Sequence, residues 1–450
     1  MRQLSEYQQK EILVLGMAKS GFVAAKLLHR LGAKVTVNDR SSLSGNPHVL
    51  ELSALGIDIV DNGHPLELVT EATYLVVKNP GIPYTNPLLQ KAERLGVPVI
   101  TEVELAAKIS EAPFVAITGS NGKTTTTTLI GEMLKGSPQQ PLVAGNIGTV
   151  LSEVAQEATH DHVIVAELSS FQLMGVQTFH PRVAVFLNLF DAHLDYHGTF
   201  EAYGQAKAKI TQQQTVTDWL VTNADDARVQ GFTAESKAQR LYFSVNKKVD
   251  GAYLEHEALC FNGDVIIAQE ELAMPKGEHN IANALAAIAV AKLMDVPNAF
   301  IKDVLQSFTG VPHRLQYVGT IHDRAFYNDS KATNILATSK ALSAFQKPVI
   351  LLAGGLDRGN DFDALKPFLK AVKAVFAFGE TKQKIQATAK EAGVKTVELV
   401  DTVVEAVQAA YNLSDAGDVI LLSPACASWD QFKSFEERGD MFVKTVHTLK

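Results

Sequence analysis

The chain has 450 residues, 46% hydrophobic and 20% charged, with 30 glycines and 16 prolines. This is the composition of folded domains, about three at the usual ~150 residues each, and it excludes collagen-like, disordered and disulfide-scaffold proteins. A net charge of −8 argues against general binding to nucleic-acid phosphates, and two cysteines, Cys260 and Cys426, suit a reducing compartment. No apolar run reaches the ~18 residues of a membrane span, and Glu6, Lys10 and Glu11 ahead of the first apolar run speak against a secretory leader. A soluble cytoplasmic enzyme is expected.

A strand–glycine–helix unit occurs three times. The first opens with EILVLG (11–16), continues through an amphipathic helix, GFVAAKLLHRL (21–31), and closes with the strand KVTVND, ending on Asp39. VPVIT near residue 100 reads as the last strand of this first block. The second unit is FVAIT (114–118) running into GSNGKTTTTTLIGEML. The third is PVILLAGG (348–355), followed by the helix-like DFDALKPFLKAV (361–372). Buried strands alternating with helices predict parallel sheets covered on both faces, an α/β class. Within the middle block, GAYLEHEALCFNGDVIIA (251–268) carries an Asn262-Gly263 pair that predicts a hairpin, a small antiparallel element beside the main sheet. NALAAIAVAKLM (283–294) predicts a buried helix, and GVPHR (310–314) supplies a break before the third block.

The strongest local signal runs from Ala116 to Thr125. A strand delivers the chain to a tight turn containing Gly119, Asn121 and Gly122, and a helix begins at Lys123, Thr124 and Thr125. Such a turn aims backbone N–H groups and a positive helix end at an anion, with Lys123 neutralising phosphoryl charge and the Thr124 hydroxyl suited to Mg²⁺. Gly119 and Gly122 stand closer than in the general phosphate-loop pattern. The turn Gly16–Gly21, containing Ser20, occupies a dinucleotide-fingerprint position with Asp39 at the next strand end, but Ala18 replaces the middle glycine. A nicotinamide dehydrogenase is therefore one alternative, and a purely structural turn another. Further on, Glu167 follows a strand, and His193 and Asp195 follow an apolar run, where open α/β sheets build their sites. On pattern alone, His193 reads as a loop histidine and Lys207 as a solvated lysine on an amphipathic helix.

Together these motifs resemble the Mur ligase family, which builds the peptide stem of bacterial peptidoglycan. TGSNGKTT is similar to that family's phosphate loop, short glycine spacing included. GNIG (145–148), ELSSFQL, NLFDAHLDYH, GEHNIANALAA and GVPHRLQ follow in the family's order. NDSKATN (328–334) and SPACASWDQFKSFEERG (423–439) resemble the branch that adds D-glutamate to UDP-N-acetylmuramoyl-L-alanine. Folylpolyglutamate synthases share the loop and layout but not these C-terminal motifs.

The resemblance implies an α/β protein of three domains. These are a Rossmann-like UDP-substrate domain over 1–100, a central P-loop ATPase-type sheet with the small antiparallel element over 101–311, and a Rossmann-like amino-acid domain over 312–450. It implies ATP-binding roles for Gly119, Asn121, Gly122, Lys123, Thr124, Thr125, Asn280, Asn283, Arg314 and Asp329. Ser20, Asp39, Arg40, Asn146 and Gln172 fall on the UDP-substrate side, and Thr333, Arg358, Ser428 and Phe435 on the amino-acid side. Arg358 stands where some relatives have lysine. Thr124, Glu167 and His193 match positions for two divalent cations. Lys207 matches a lysine carried as a carbamate formed from CO₂, an oxygen ligand for the metal, with Lys209 a weaker candidate. Lys123, His193 and Lys207 are the expected catalytic set. The implied reaction is ADP-forming C–N ligation through an acyl phosphate, by a monomer with small-molecule substrates only. A sister ligase using another amino acid, or a UDP-sugar binder without turnover, are the remaining alternatives.

Overall fold

The computed structural model describes residues 1–450 apart from Gln3, Pro275, Lys276 and Lys450, and only the backbone of Asp195, whose side chain lies outside the described residues. The three glycine-ended apolar runs lie inside three separate sheets. The first is entirely parallel, in the order Asp58–Val60, Lys34–Asn38, Glu11–Leu15, Thr73–Lys78, Val99–Ile100. The second has nine strands, in the order Asp264–Ala268, Ala258–Phe261, Gly251–Glu255, Gln239–Ser244, Trp219–Asn223, Val183–Phe186, Phe114–Thr118, His162–Glu167, Gln140–Gly145. The third runs Gln316–Ile321, Arg324–Asn328, Val419–Leu422, Val349–Gly354, Val372–Phe378, Thr396–Leu399 and is parallel except for its first pair. The chain divides into two compact units, 1–308 and 309–450, with the first two sheets in the first unit.

Asn262 and Gly263 both take positive φ and join Ala258–Phe261 to Asp264–Ala268, the hairpin that Asn-Gly favours. His256 and Glu257, also at positive φ, make a second turn just before it. The antiparallel strands extend the edge of the parallel sheet through the parallel pairing of Gln239–Ser244 with Gly251–Glu255. One expectation is corrected. DFDALKPFLKAV is not a single helix but a 3₁₀ turn, Asp363–Leu365, and one helical turn, Lys366–Leu369. Pro367 interrupts the hydrogen-bond ladder near its start, and the β-branched residues that follow join the strand Val372–Phe378.

In the first unit the two sheets share one core. Leu27 and Leu28 of the helix Lys19–Arg30 and Val103 and Leu105 of the helix Glu102–Ile109 pack in the same cluster as Ala116, Ile164 and Ala184. Two buried carboxylates fasten this joint. Glu104 accepts from Gln177 N and Thr178 N at 2.8 Å each and from the Thr178 hydroxyl, and Glu102 accepts from Ser152 N at 2.9 Å. Burial pushes the Glu102 carboxyl upward, and the Ser152 bonds oppose it.

In the second unit a buried guanidinium has the corresponding role. Arg438 donates to Ser330 Oγ at 3.0 Å, Ser330 O at 2.9 Å, Cys426 O at 3.0 Å and Gly354 O at 3.3 Å, tying three strand-end loops together. Burial lowers its pKa to about 10, so it stays charged at neutral pH. A hydrogen bond to a charged group contributes ~1.5–3 kcal/mol, and an acceptor left bare in the interior costs more. Arg438→Leu should therefore destabilise the second unit by at least ~3 kcal/mol. Hydrogen–deuterium exchange should show this as faster exchange in Val349–Gly354 and Val419–Leu422, with the strands of the first unit little changed.

Candidate active site

The strand Phe114–Thr118 is buried throughout and empties into the turn 119–122, after which the helix Lys123–Leu134 begins. Gly122 caps this helix in the left-handed region at φ +79° and, having no side chain, makes no side-chain cap, which gives a helix start suited to an anion. A Cβ at Gly122 would overlap Asn283 Oδ1. Asn283 itself projects from the buried face of the helix Glu278–Leu293. Asn188, which the sequence reading did not single out, shapes the turn from the other side. Its Oδ1 accepts from Asn121 N at 2.9 Å, and its carbonyl accepts from Ser120 N at 3.0 Å. Its place at the head of NLFDAHLDYH was the available signal.

Two lysines meet on one atom. Lys123 Nζ and Lys207 Nζ each donate to Gly119 O at 2.8 Å, and Lys123 also reaches Ser120 O at 3.0 Å. Lys207 is 2% exposed, which overturns its reading as a solvated helix lysine. The helix Phe200–Ala208 turns Tyr203, Gly204, Ala206 and Lys207 inward. Burial holds the Lys207 amine well below the ordinary lysine pKa, neighbouring Lys123 pushes the same way, and Glu167 opposes both. Lys209 points elsewhere, to Met174 O at 2.9 Å.

Glu167 ends its strand with one carboxylate oxygen accepting from Asn146 Nδ2 at 2.9 Å. The other, Oε2, is buried without a partner. An orphaned buried carboxylate oxygen on a phosphate-loop sheet, with buried Thr124 at the helix start, fits a hard cation such as Mg²⁺. Among the described residues no three His, Cys, Asp or Glu side chains gather into a metal cage, so such a cation would depend on water and phosphate oxygens for the rest of its shell. His193 takes a left-handed φ of 56° at the head of the short helix Leu194–His197. Its ring lies 5.0 Å from Phe171 and 6.2 Å from Tyr203. Tyr203 in turn touches both sides of the site, with Lys207 Nζ 4.8 Å from its ring and its hydroxyl 3.0 Å from Ser120 Oγ.

The N-terminal turn is held by Asp39, whose two oxygens accept from Met17 N at 2.8 Å and Ser41 N at 2.9 Å. These two bonds shape the turn. Ser20 Oγ accepts from Asn79 Nδ2 at 3.2 Å, and Arg40 is exposed. The Gln172 side chain closes a capping box with Ser169. Asn280 sits in the first turn of the helix that carries Asn283.

In the second unit, Arg314 and Asp329 adjoin. Burial raises the Asp329 carboxyl to about 6, while Ser423 Oγ at 2.8 Å, Leu315 N at 3.1 Å and the Arg314 charge oppose it. Around the sheet's strand ends, Leu356 N donates to Ala427 O at 2.9 Å and brings Arg358 to 5.0 Å from the exposed Trp429 ring. Ser428 Oγ is buried without a partner, and Lys331 Nζ, missed in the sequence reading, lies 5.8 Å from the Phe435 ring. Thr333 N donates to Lys331 O at 2.9 Å. The unit thus gathers two cations, an orphaned hydroxyl and an aromatic ring near its C-terminal strand ends.

These features define a phosphate-binding α/β protein of the P-loop class. The chain belongs to the Mur ligase family. Residues 10–101 match the Mur ligase MurD-like, N-terminal domain, residues 117–291 the Mur ligase middle domain, and residues 313–426 the Mur ligase, glutamate ligase domain. The chain is 59% identical over 450 residues to the UDP-N-acetylmuramoylalanine--D-glutamate ligase of Bacillus mycoides (strain KBAB4), covering all of both chains. It is equally 59% identical over 452 residues to the enzyme of that name from Geobacillus sp. (strain WCH70), again covering all of both. In fold it is similar to the UDP-N-acetylmuramate-alanine ligase MurC of Thermotoga maritima, with TM-score 0.54, 20% identity, and 98% and 100% of the two chains covered.

Gly122→Ala tests the turn. A left-handed conformation costs a non-glycine residue ~1–2 kcal/mol, and the new methyl must displace Asn283. The variant is expected to bind ATP at least ~10-fold more weakly by calorimetry, with the circular dichroism spectrum unchanged.

Proposed function

We propose that this protein joins D-glutamate to UDP-N-acetylmuramoyl-L-alanine with ATP as the energy source, a C–N ligation of peptidoglycan synthesis. The single observation that carries the chemistry is the pair of lysines on Gly119 O beside the unpartnered Glu167 oxygen. Full-length identity of 59% to ligases of that name carries the choice of substrates. The work divides as 1–100 for the UDP substrate, 101–311 for ATP and 312–450 for the amino acid. No described helix is long and apolar enough to cross a membrane.

A carboxylate resists attack by an amine because it is a poor electrophile with a poor leaving group. Transfer of the γ-phosphoryl group of ATP to the L-alanyl carboxylate gives an acyl phosphate. The amine of D-glutamate then adds to the carbonyl, loses a proton, and expels phosphate to leave the amide. The chain must hold an anionic carboxylate against an anionic phosphoryl group. Lys123 supplies charge at the turn, and the first-turn N–H groups of its helix supply dipoles. Thr124 and Glu167 would hold Mg²⁺ and His193 a second divalent cation, with the Lys207 carbamate a further oxygen ligand; when bound, these cations add positive charge to the phosphoryl oxygens. Gly119, Asn121 and Thr125 line the turn with them, and Asn280, Asn283, Arg314 and Asp329 complete the ATP set. Asn146, hydrogen-bonded to Glu167, contacts the UDP substrate together with Ser20, Asp39, Arg40 and Gln172.

Lys207 fits conversion to a carbamate. Its low-pKa amine is available as a nucleophile, and addition to CO₂ with loss of a proton turns a buried cation into an anion. That removes the repulsion from Lys123. Lys207→Ala is expected to lose activity by at least ~10²-fold and to regain part of it with added short-chain carboxylates. Carbon-13 NMR of the active protein under labelled CO₂ should show a carbamate resonance, and active enzyme without one would refute this role.

For the acceptor, Arg358 grips a D-glutamate carboxylate in fork geometry where lysine is a point charge, and Ser428 Oγ, Thr333 and Phe435 complete the pocket. A charged hydrogen bond of ~1.5–3 kcal/mol predicts a ~10–150-fold loss of D-glutamate kcat/KM in Arg358→Ala. Phosphate release with UDP-N-acetylmuramoyl-L-alanine and D-Glu, L-Glu, L-Lys or meso-diaminopimelate checks both points. Preference for any acceptor but D-Glu would refute the reading.

A further inference from the structure

One buried cation of the first unit has no part in the reaction as described. Lys78 ends the strand Thr73–Lys78 and is 1% exposed. Its amine donates to Pro80 O at 3.0 Å and to the Tyr196 hydroxyl at 3.4 Å, and lies 4.8 Å from the Tyr84 ring. Burial lowers its pKa to about 8. The Tyr196 hydroxyl in turn donates to Ile82 O at 2.9 Å, with Pro80 O at 3.3 Å. A strand-end turn of the first sheet, 79–82, is thereby fastened to the segment that carries His193.

That turn faces the N-terminal glycine turn on its other side. Asn79 Nδ2 donates to Ser20 Oγ, and a Cβ on Gly16 would come within 2.9 Å of both Asn79 Cβ and Ile82 Cδ1. From Tyr196 a run of rings continues inward. Its ring meets Phe171 edge-on at 4.6 Å, and Phe171 meets His193 at 5.0 Å. His193 contacts Tyr203, whose hydroxyl meets Ser120 of the phosphate turn. The helix Leu194–His197 has four residues and cannot hold its own position by backbone bonds alone, so its side-chain anchors decide where His193 sits.

We propose that Tyr196, seated by Lys78, is a positioning residue that sets His193 from the turn 79–82, so that binding at the N-terminal glycine turn and cation binding at the phosphate turn are coupled. This rests on the reading of His193 as a cation ligand. Coupling of this kind is reciprocal: the UDP substrate tightens cation binding, and the cation tightens the UDP substrate.

Tyr196→Phe removes only the hydroxyl and keeps the ring, and Lys78→Met removes the amine. In the full-length protein, a lost buried hydrogen bond predicts a ~5–10-fold rise in the Mg²⁺ concentration for half-maximal activity in either variant. The KM values for D-glutamate and ATP at saturating Mg²⁺ should stay within about twofold. Binding of Mn²⁺–ATP, followed by electron paramagnetic resonance, should tighten on adding UDP-N-acetylmuramoyl-L-alanine to the wild type, and much less in the variants. Equal tightening in wild type and Tyr196→Phe, or none in wild type, would overturn the proposal. His193→Ala separates the two layers. If it raises the Mg²⁺ requirement and Tyr196→Phe does not, the positioning role alone is wrong. If His193→Ala leaves the requirement unchanged, the ligand reading fails and takes this inference with it.

Discussion

The site of the first unit depends on two lysine amines sharing the carbonyl oxygen of Gly119. Two ammonium groups so close repel, and the interior screens them poorly. The arrangement is tolerable because Lys207 is held toward its neutral form and because Glu167 stands near with negative charge. Everything adjoining follows from that balance. Glu167 keeps one oxygen without a partner, Asn146 steadies the other, and Tyr203 lays its ring against Lys207.

The geometry arises from strand order. In a parallel sheet every strand delivers its C-terminal end to the same edge, so Thr118 and Glu167, on the paired strands Phe114–Thr118 and His162–Glu167, open onto one crevice. The same logic places the 79–82 turn next to the first glycine turn, and Asn328, Gly354 and Leu422 at one edge of the third sheet. Buried charged groups then hold these edges in register: Glu102 and Glu104 across the two sheets of the first unit, Arg438 among the loops of the second. Glu104 accepts from three donor groups and Arg438 donates four hydrogen bonds, which is what makes a buried charge an anchor rather than a defect.

Local pattern yielded to tertiary context in two places. Lys207, a solvated helix lysine on pattern alone, is buried with its amine on Gly119 O. The stretch 361–372 is helical in pattern but carries Pro367 and runs into β-branched residues that a neighbouring strand recruits. In both cases contacts distant in sequence decided what the local pattern did not.

The sequence by itself determined the α/β class, the three strand–glycine–helix units, the Asn262-Gly263 hairpin and the phosphate turn, because each is written in periodicity, turn chemistry or contiguous spacing. It also carried, through motifs in order, the family and the residues to examine. Only the tertiary structure decided that Lys207 is buried and Lys209 is not at the turn, that Asn188 clamps Asn121, that Lys331 accompanies Phe435, and that Lys78 and Tyr196 join the first sheet to the His193 segment. The reason is physical. Turns and helices are set by neighbours a few residues apart, whereas burial and pairing of a polar side chain depend on which distant strands end beside it, and no local pattern encodes that.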